Sequence, residues 1–116
     1  MTYNILIQPE AELDLIEAYN WYEERSQGLG DEFITAVDIC LSLIQRNPLS
    51  YPVVAVSPGN DKSTKGETQD EQFHRALVRR FPYEIFYRIS DETIVVLACF
   101  HGRRNPQWWQ NRIGKN

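Results

Sequence analysis

The chain has 116 residues and a formal net charge of −4, enough for one domain with one core and too little for two. No apolar run approaches the ~18 residues of a membrane span. Gln8, Pro9 and Glu10 interrupt Ile5-Leu6-Ile7 before a secretory signal can form, so the expected location is the cytoplasm and no membrane partner is expected.

Charge is divided unevenly. Residues 1–70 carry 4 Lys/Arg against 12 Asp/Glu, and residues 71–116 carry 8 against 4, so the two parts stand at −8 and +4. The basic part can attract an anionic partner locally in spite of the acidic total. The alternative is that acidic helices face solvent and the arginines balance them. Cys40 and Cys99 lie far apart in apolar runs, where reduced packing residues are the common case, and one cysteine per run falls short of a zinc pattern. No metal and no cofactor is expected.

Thr2 to Gln8 reads as a short strand, with Tyr3, Ile5 and Ile7 alternating against Asn4 and Gln8. Pro9 suits the start of a helix, where its missing N–H has no partner to lose. From Glu10 to Gln27, Ala11, Leu15, Ala18 and Tyr22 recur at helical spacing, and Gly28 ends the run. A second helix is predicted from about Asp31, as N-cap, through Phe33, Val37, Cys40, Leu41 and Ile44, until Asn47-Pro48 stops it. Two amphipathic helices joined this closely form an antiparallel pair whose apolar face needs a sheet.

Residues 50–56 read as an extended edge segment. Ser57 to Asp70 contains no apolar residue and reads as a surface loop or insertion within a single domain spanning residues 1–116. Three strands follow, Phe73–Arg80, Tyr83–Ser90 and Thr93–Phe100, separated by Pro82 and by a two-residue Asp91-Glu92 hairpin. In the middle strand Tyr83, Ile85, Tyr87 and Ile89 share one face, and Glu84, Phe86 and Arg88 the other. Ile94 to Cys99 is apolar on both faces, as in an internal strand covered on two sides. Pro106 to Arg112 suits a short terminal helix. The expected class is α+β, β-α-α-β-β-β(-α), a helical hairpin packed on a small mixed, mainly antiparallel sheet.

Within this order, Arg75-Ala-Leu-Val-Arg79-Arg80-Phe81-Pro82-Tyr83, then Phe86-Tyr87-Arg88, then Val95-Val96-Leu97-Ala98 running into His101-Gly-Arg103-Arg104-Asn-Pro106, resembles the RelE/ParE superfamily of bacterial toxins. Phe81-Pro82-Tyr83 and the His-x-Arg-Arg-x-Pro ending are similar to the ParE branch. The resemblance implies the toxin of a type II toxin–antitoxin pair that causes growth arrest, is neutralised by a cognate antitoxin and forms a hetero-oligomer with it. In the ParE branch it implies inhibition of DNA gyrase with no catalysis. In the RelE branch it implies cleavage of mRNA on the ribosome. A third possibility is a degenerate, non-toxic module that still binds an antitoxin.

The residues weigh these branches differently. Metal-free RNA cleavage needs an activated 2′-hydroxyl, cations around the phosphate and a proton donor for the leaving oxygen. Arg75, His101 and Arg104 are the candidate catalytic set. Leu77 and Glu84 stand where the RelE branch has basic residues, and a carboxylate beside a scissile phosphate repels it by about 1 kcal/mol at 4 Å in water. His101 suits either a general acid or a backbone hydrogen bond fixing the next turn. Arg79, Arg80, Arg103 and Arg104 are the candidate target-binding patch, since guanidinium forks pair with phosphates or carboxylates; some of them could instead bind Glu12, Glu17 or Glu24. Trp108 and Trp109 are candidate anchors, and neighbours on a helix point about 100° apart, so one suits the core and the other a partner. The helix pair's outer surface and an open strand edge suit an antitoxin peptide, and a Lys- or Arg-bearing segment suits the acidic part.

Overall fold

The computed structural model describes residues 3–57 and 71–102. The polar stretch expected to loop out and the expected tail helix Pro106–Arg112 lie outside those residues, apart from Ser57. In chain order the elements are β1 (Asn4–Ile7), α1 (Pro9–Arg25), α2 (Leu29–Arg46), a single helical turn at Pro48–Ser50, β2 (Val53–Ser57), β3 (Glu71–Leu77), β4 (Tyr83–Ser90) and β5 (Thr93–His101). The five strands form one sheet in the order β1-β5-β4-β3-β2, with β1 parallel to β5 and the remaining pairs antiparallel. This is the expected α+β class, and the segment at 50–56 supplies the edge strand β2. No described helix is long and apolar enough to cross a membrane.

Sequence alternation fixes the faces. Tyr83, Ile85, Tyr87 and Ile89 of β4 turn to the helices, whose own apolar stripes supply Ala11, Ala18, Tyr22, Phe33, Val37, Cys40 and Ile44 to the same core. β5 is internal, as its apolar character predicts. Ile94, Val96 and Cys99 face the helices, while Val95, Leu97, Ala98 and Phe100 belong to clusters on the other face. Strict alternation would put Ala98, not Cys99, with Val96. The register moves from Phe86–Ala98 to Tyr87–Val96, leaving Leu97 as the extra residue of a bulge that restores the inward set.

The start of α2 differs from expectation. Gly28 is the capping residue, in the left-handed region at φ 90, where a side chain is strained, and Asp31 lies in the first helical turn. The charge of Asp31 first, and then that of Glu23, raises the pKa of the Tyr19 phenol. The cap comes from α1: Glu23 accepts the Gly28 N–H at 2.9 Å and the Gly30 N–H at 2.8 Å, one on each oxygen. A carboxylate so placed satisfies two otherwise orphan donors at the positive end of the helix. Gly30 is required by this packing, since a Cβ there would sit 2.8 Å from both Glu23 Oε1 and the Tyr19 ring.

Two further polar ties lock the layers. Asp14 of α1 accepts the Cys99 N–H at 3.0 Å, beyond the last β1–β5 pair at Ile7–Val96. Tyr87 is fully buried and donates its hydroxyl to the Pro48 carbonyl at 2.6 Å.

Candidate functional site

The described basic residues of the second half are distributed over the two faces and one end of the sheet. Arg75 projects from β3 on the face away from the helices, opposite Phe86 in register, with Nη1 3.9 Å from Glu84 Oε2. Arg88 stands on the same face, 3.8 Å from Glu71. Both are loose ion pairs, worth under about 1 kcal/mol where solvent screens them.

His101 lies on the opposite face. It is in register with Tyr83, their rings 5.4 Å apart, and with Asp14, Glu17, Ala18, Trp21 and Cys99 it lines a cleft of about 170 Å³ against α1. Arg75 and His101 are therefore not brought together, because the sheet stands between them. His74 is buried, stacks on Tyr87 at 5.1 Å and holds Nδ1 2.9 Å from the Tyr51 carbonyl. That oxygen can only accept, so Nδ1 carries the hydrogen. His74 thus ties the turn before β2 to the sheet.

Arg79 and Arg80 sit together in the β3–β4 turn at one end of the sheet, both exposed. Arg80 has φ 73, uncommon for a side chain of this size. It is held by Glu32 of α2 at 3.0 Å and lies over the Phe81 ring at 5.7 Å. The end of β5 is fastened to this same turn: the Gly102 N–H donates to the Pro82 carbonyl at 2.7 Å. The chain thus leaves its described part beside Arg79 and Arg80. Arg103, Arg104, Trp108 and Trp109 follow directly and lie outside the described residues.

Arg79, Arg80, Asp31, Glu32, Thr35, Ala36 and Ile39 line a groove of about 460 Å³ between the turn and α2. The acidic rim of this groove escapes sequence reading, which assigns Asp31 to capping. The only signal available is helical spacing, which places Glu32, Ala36 and Ile39 along one stripe.

Both cysteines are free and buried. Burial pushes the Cys40 thiol up to about 11, and burial first, then the Asp14 charge, raises Cys99 as well. Neither is a thiolate near neutrality, so neither is poised as a nucleophile. Among the described residues no three His, Cys, Asp or Glu side chains gather as a metal site requires.

Comparison with known proteins agrees with this geometry. The model of a family described as the ParE toxin of the type II toxin–antitoxin system parDE matches residues 5–106. A solved structure described as the chromosomal ParDE toxin–antitoxin system of P. aeruginosa superposes with a TM-score of 0.62 at 11% identity, covering 85% of this chain and 95% of that one. At that identity the likeness speaks for the fold alone. No curated protein sequence matches the chain. The family match covers β1 through β5 and the start of the basic ending, and on that ground the chain belongs to the ParE toxin family, the toxin component of type II toxin–antitoxin systems.

Proposed function

We propose that the protein acts in the cytoplasm as an inhibitor of DNA gyrase, without catalysis of its own, and is held inactive in a hetero-oligomer with its cognate antitoxin. Arg79 and Arg80 of the β3–β4 turn, with Arg103, Arg104, Trp108 and Trp109 of the adjoining C-terminal segment, form the target-binding surface. The observation that most favours a non-catalytic toxin is the separation of Arg75 and His101 onto opposite faces of the sheet. General acid–base work on one phosphate needs its groups within hydrogen-bond reach of that phosphate. Glu84 beside Arg75 further offsets the charge a phosphate would seek. Gyrase as target rests on the ParE family and on the Gly102–Pro82 tie, which brings the exit of the basic ending to the arginine turn.

Purified protein at micromolar concentration is expected to block supercoiling by gyrase and to leave mRNA intact in a translating ribosome extract. Codon-specific cuts in the extract with unimpaired supercoiling would replace this reading with RNA cleavage. Silence in both assays and no growth arrest on expression would point to a non-toxic antitoxin-binding module.

A further inference from the structure

The helices cover one face of the sheet, yet the other face is buried too. Its middle consists of Phe73, Phe86, Val95, Leu97, Ala98 and Phe100, none more than 5% exposed, in two clusters that contain no helix residue; only Val54 and Ala55 of the edge strand β2 pack against them. The margins of the same face show what an uncovered side chain meets. Leu6, in register with Val95, is 54% exposed, and Leu77, in register with Glu84, is 62% exposed. An apolar sheet face is buried by packing another layer on it. The burial belongs to the single chain, so the covering element is a narrow one drawn from the same chain and from outside its described residues.

Two stretches qualify by position, 58–70 and 103–116. Residues 58–70 hold no large apolar side chain, whereas 103–116 hold Trp108, Trp109 and Ile113. Pro106, Trp109 and Ile113 recur at i, i+3 and i+7, the spacing of one helical face, and a proline suits the first turn. Trp108 and Arg112, four apart, share a different face. The point of exit fits as well. Gly102 follows directly on β5 and is bonded to the Pro82 carbonyl, so the segment starts at the Phe100 end of the apolar strip. A helix of eight residues is ~12 Å long, matching about four strand residues, the run from Phe100 back to Leu97.

We infer that residues 106–113 fold back as a helix over this face, seating Pro106, Trp109 and Ile113 on Phe86, Ala98 and Phe100 as a third layer of the domain. Trp109 is then a core side chain, and Trp108 with Arg112 is the pair that stands outward. The assignment does not depend on gyrase as target, and it refines the surface proposed above: Trp109 fixes the segment from beneath while Trp108 meets the partner.

The test uses full-length protein that keeps one tryptophan of the segment at a time. Trp21→Phe/Trp108→Phe retains Trp109, Trp21→Phe/Trp109→Phe retains Trp108, and melting temperatures check that both are folded. Trp109 is expected to emit at shorter wavelength than Trp108 and to be quenched several-fold less by acrylamide. Separately, Trp109→Ala is expected to lower the melting temperature by about 10 °C or more and to bind the apolar dye ANS, whereas Trp108→Ala shifts it by under about 2 °C. Equal quenching of the two tryptophans, stronger quenching of Trp109, or equal melting temperatures of the two alanine variants would overturn the inference. If Trp109→Ala does not fold at all, the fluorescence pair decides, because phenylalanine keeps a ring at each exchanged position. None of these readouts involves gyrase, so their failure would leave the proposed target standing.

Discussion

Phe33→Ala is expected to destabilise the fold by about 3–5 kcal/mol, the usual range for removing a buried ring. Phe33 is fully buried on α2, and its ring lies 5.3 Å from Tyr22 of α1, 5.3 Å from Phe81 of the arginine turn and 5.0 Å from Tyr83 of β4. It is the point where both helices and the turn meet. Tilted and edge-to-face contacts of this kind add to the burial itself, and the tight surroundings leave little scope for collapse into the gap. A domain of this size has about 5–15 kcal/mol in total, so the variant should unfold at much lower urea with an unchanged m-value. A loss below about 1.5 kcal/mol would mean that the turn is not anchored by this cluster.

Glu23→Ala is expected to cost about 2 kcal/mol, at the upper end for a capping residue because two N–H groups lose a charged acceptor together. Glu23→Gln should recover part of it, since one amide oxygen remains to accept. The comparison by urea unfolding is informative because Glu23 is not a local cap. It reaches α2 from five and seven residues upstream. Equal stability of wild type and alanine variant would show that solvent replaces the carboxylate at no loss.

That cap also marks where the sequence is opaque. Asp31 has the chemistry of an N-cap and stands at the expected place, but a carboxylate folded back from the preceding helix is invisible to local pattern. The same holds for Asp14, whose partner Cys99 lies 85 positions away. What is legible follows from periodicity: the inward set of β4, the internal position of β5 and the helical stripes all come from spacing that burial enforces. The bulge at Leu97 is hidden because a strand apolar on both faces gives no alternation to break. For the site, the sequence shows Arg75, Arg79, Arg80 and His101 as chemistry-bearing. Only pairing decides that Arg75 and His101 face opposite ways and that Gly102, where the basic ending begins, is tied to the turn carrying Arg79 and Arg80.

The buried thiol gives a pH-dependent outcome with a definite sign. Cys40 has a folded pKa of about 11 against an ordinary 9.0. The folded state therefore keeps a proton that the unfolded chain releases. Its stabilising contribution is full below about 9 and is lost as pH rises through 9 to 11. Native protein at pH 8 should react slowly with a thiol reagent, and denatured protein rapidly at both cysteines. Fast native modification of either residue would contradict their burial.

The central proposition is that the basic end of the sheet acts on gyrase by binding. The most direct measurement is a gyrase supercoiling assay comparing wild type with the Arg103→Ala/Arg104→Ala variant, alongside their melting temperatures. Loss of inhibition with a melting temperature nearly equal to wild type is the predicted result. Retained inhibition, or a collapsed melting temperature showing that these arginines are structural ties, would contradict it.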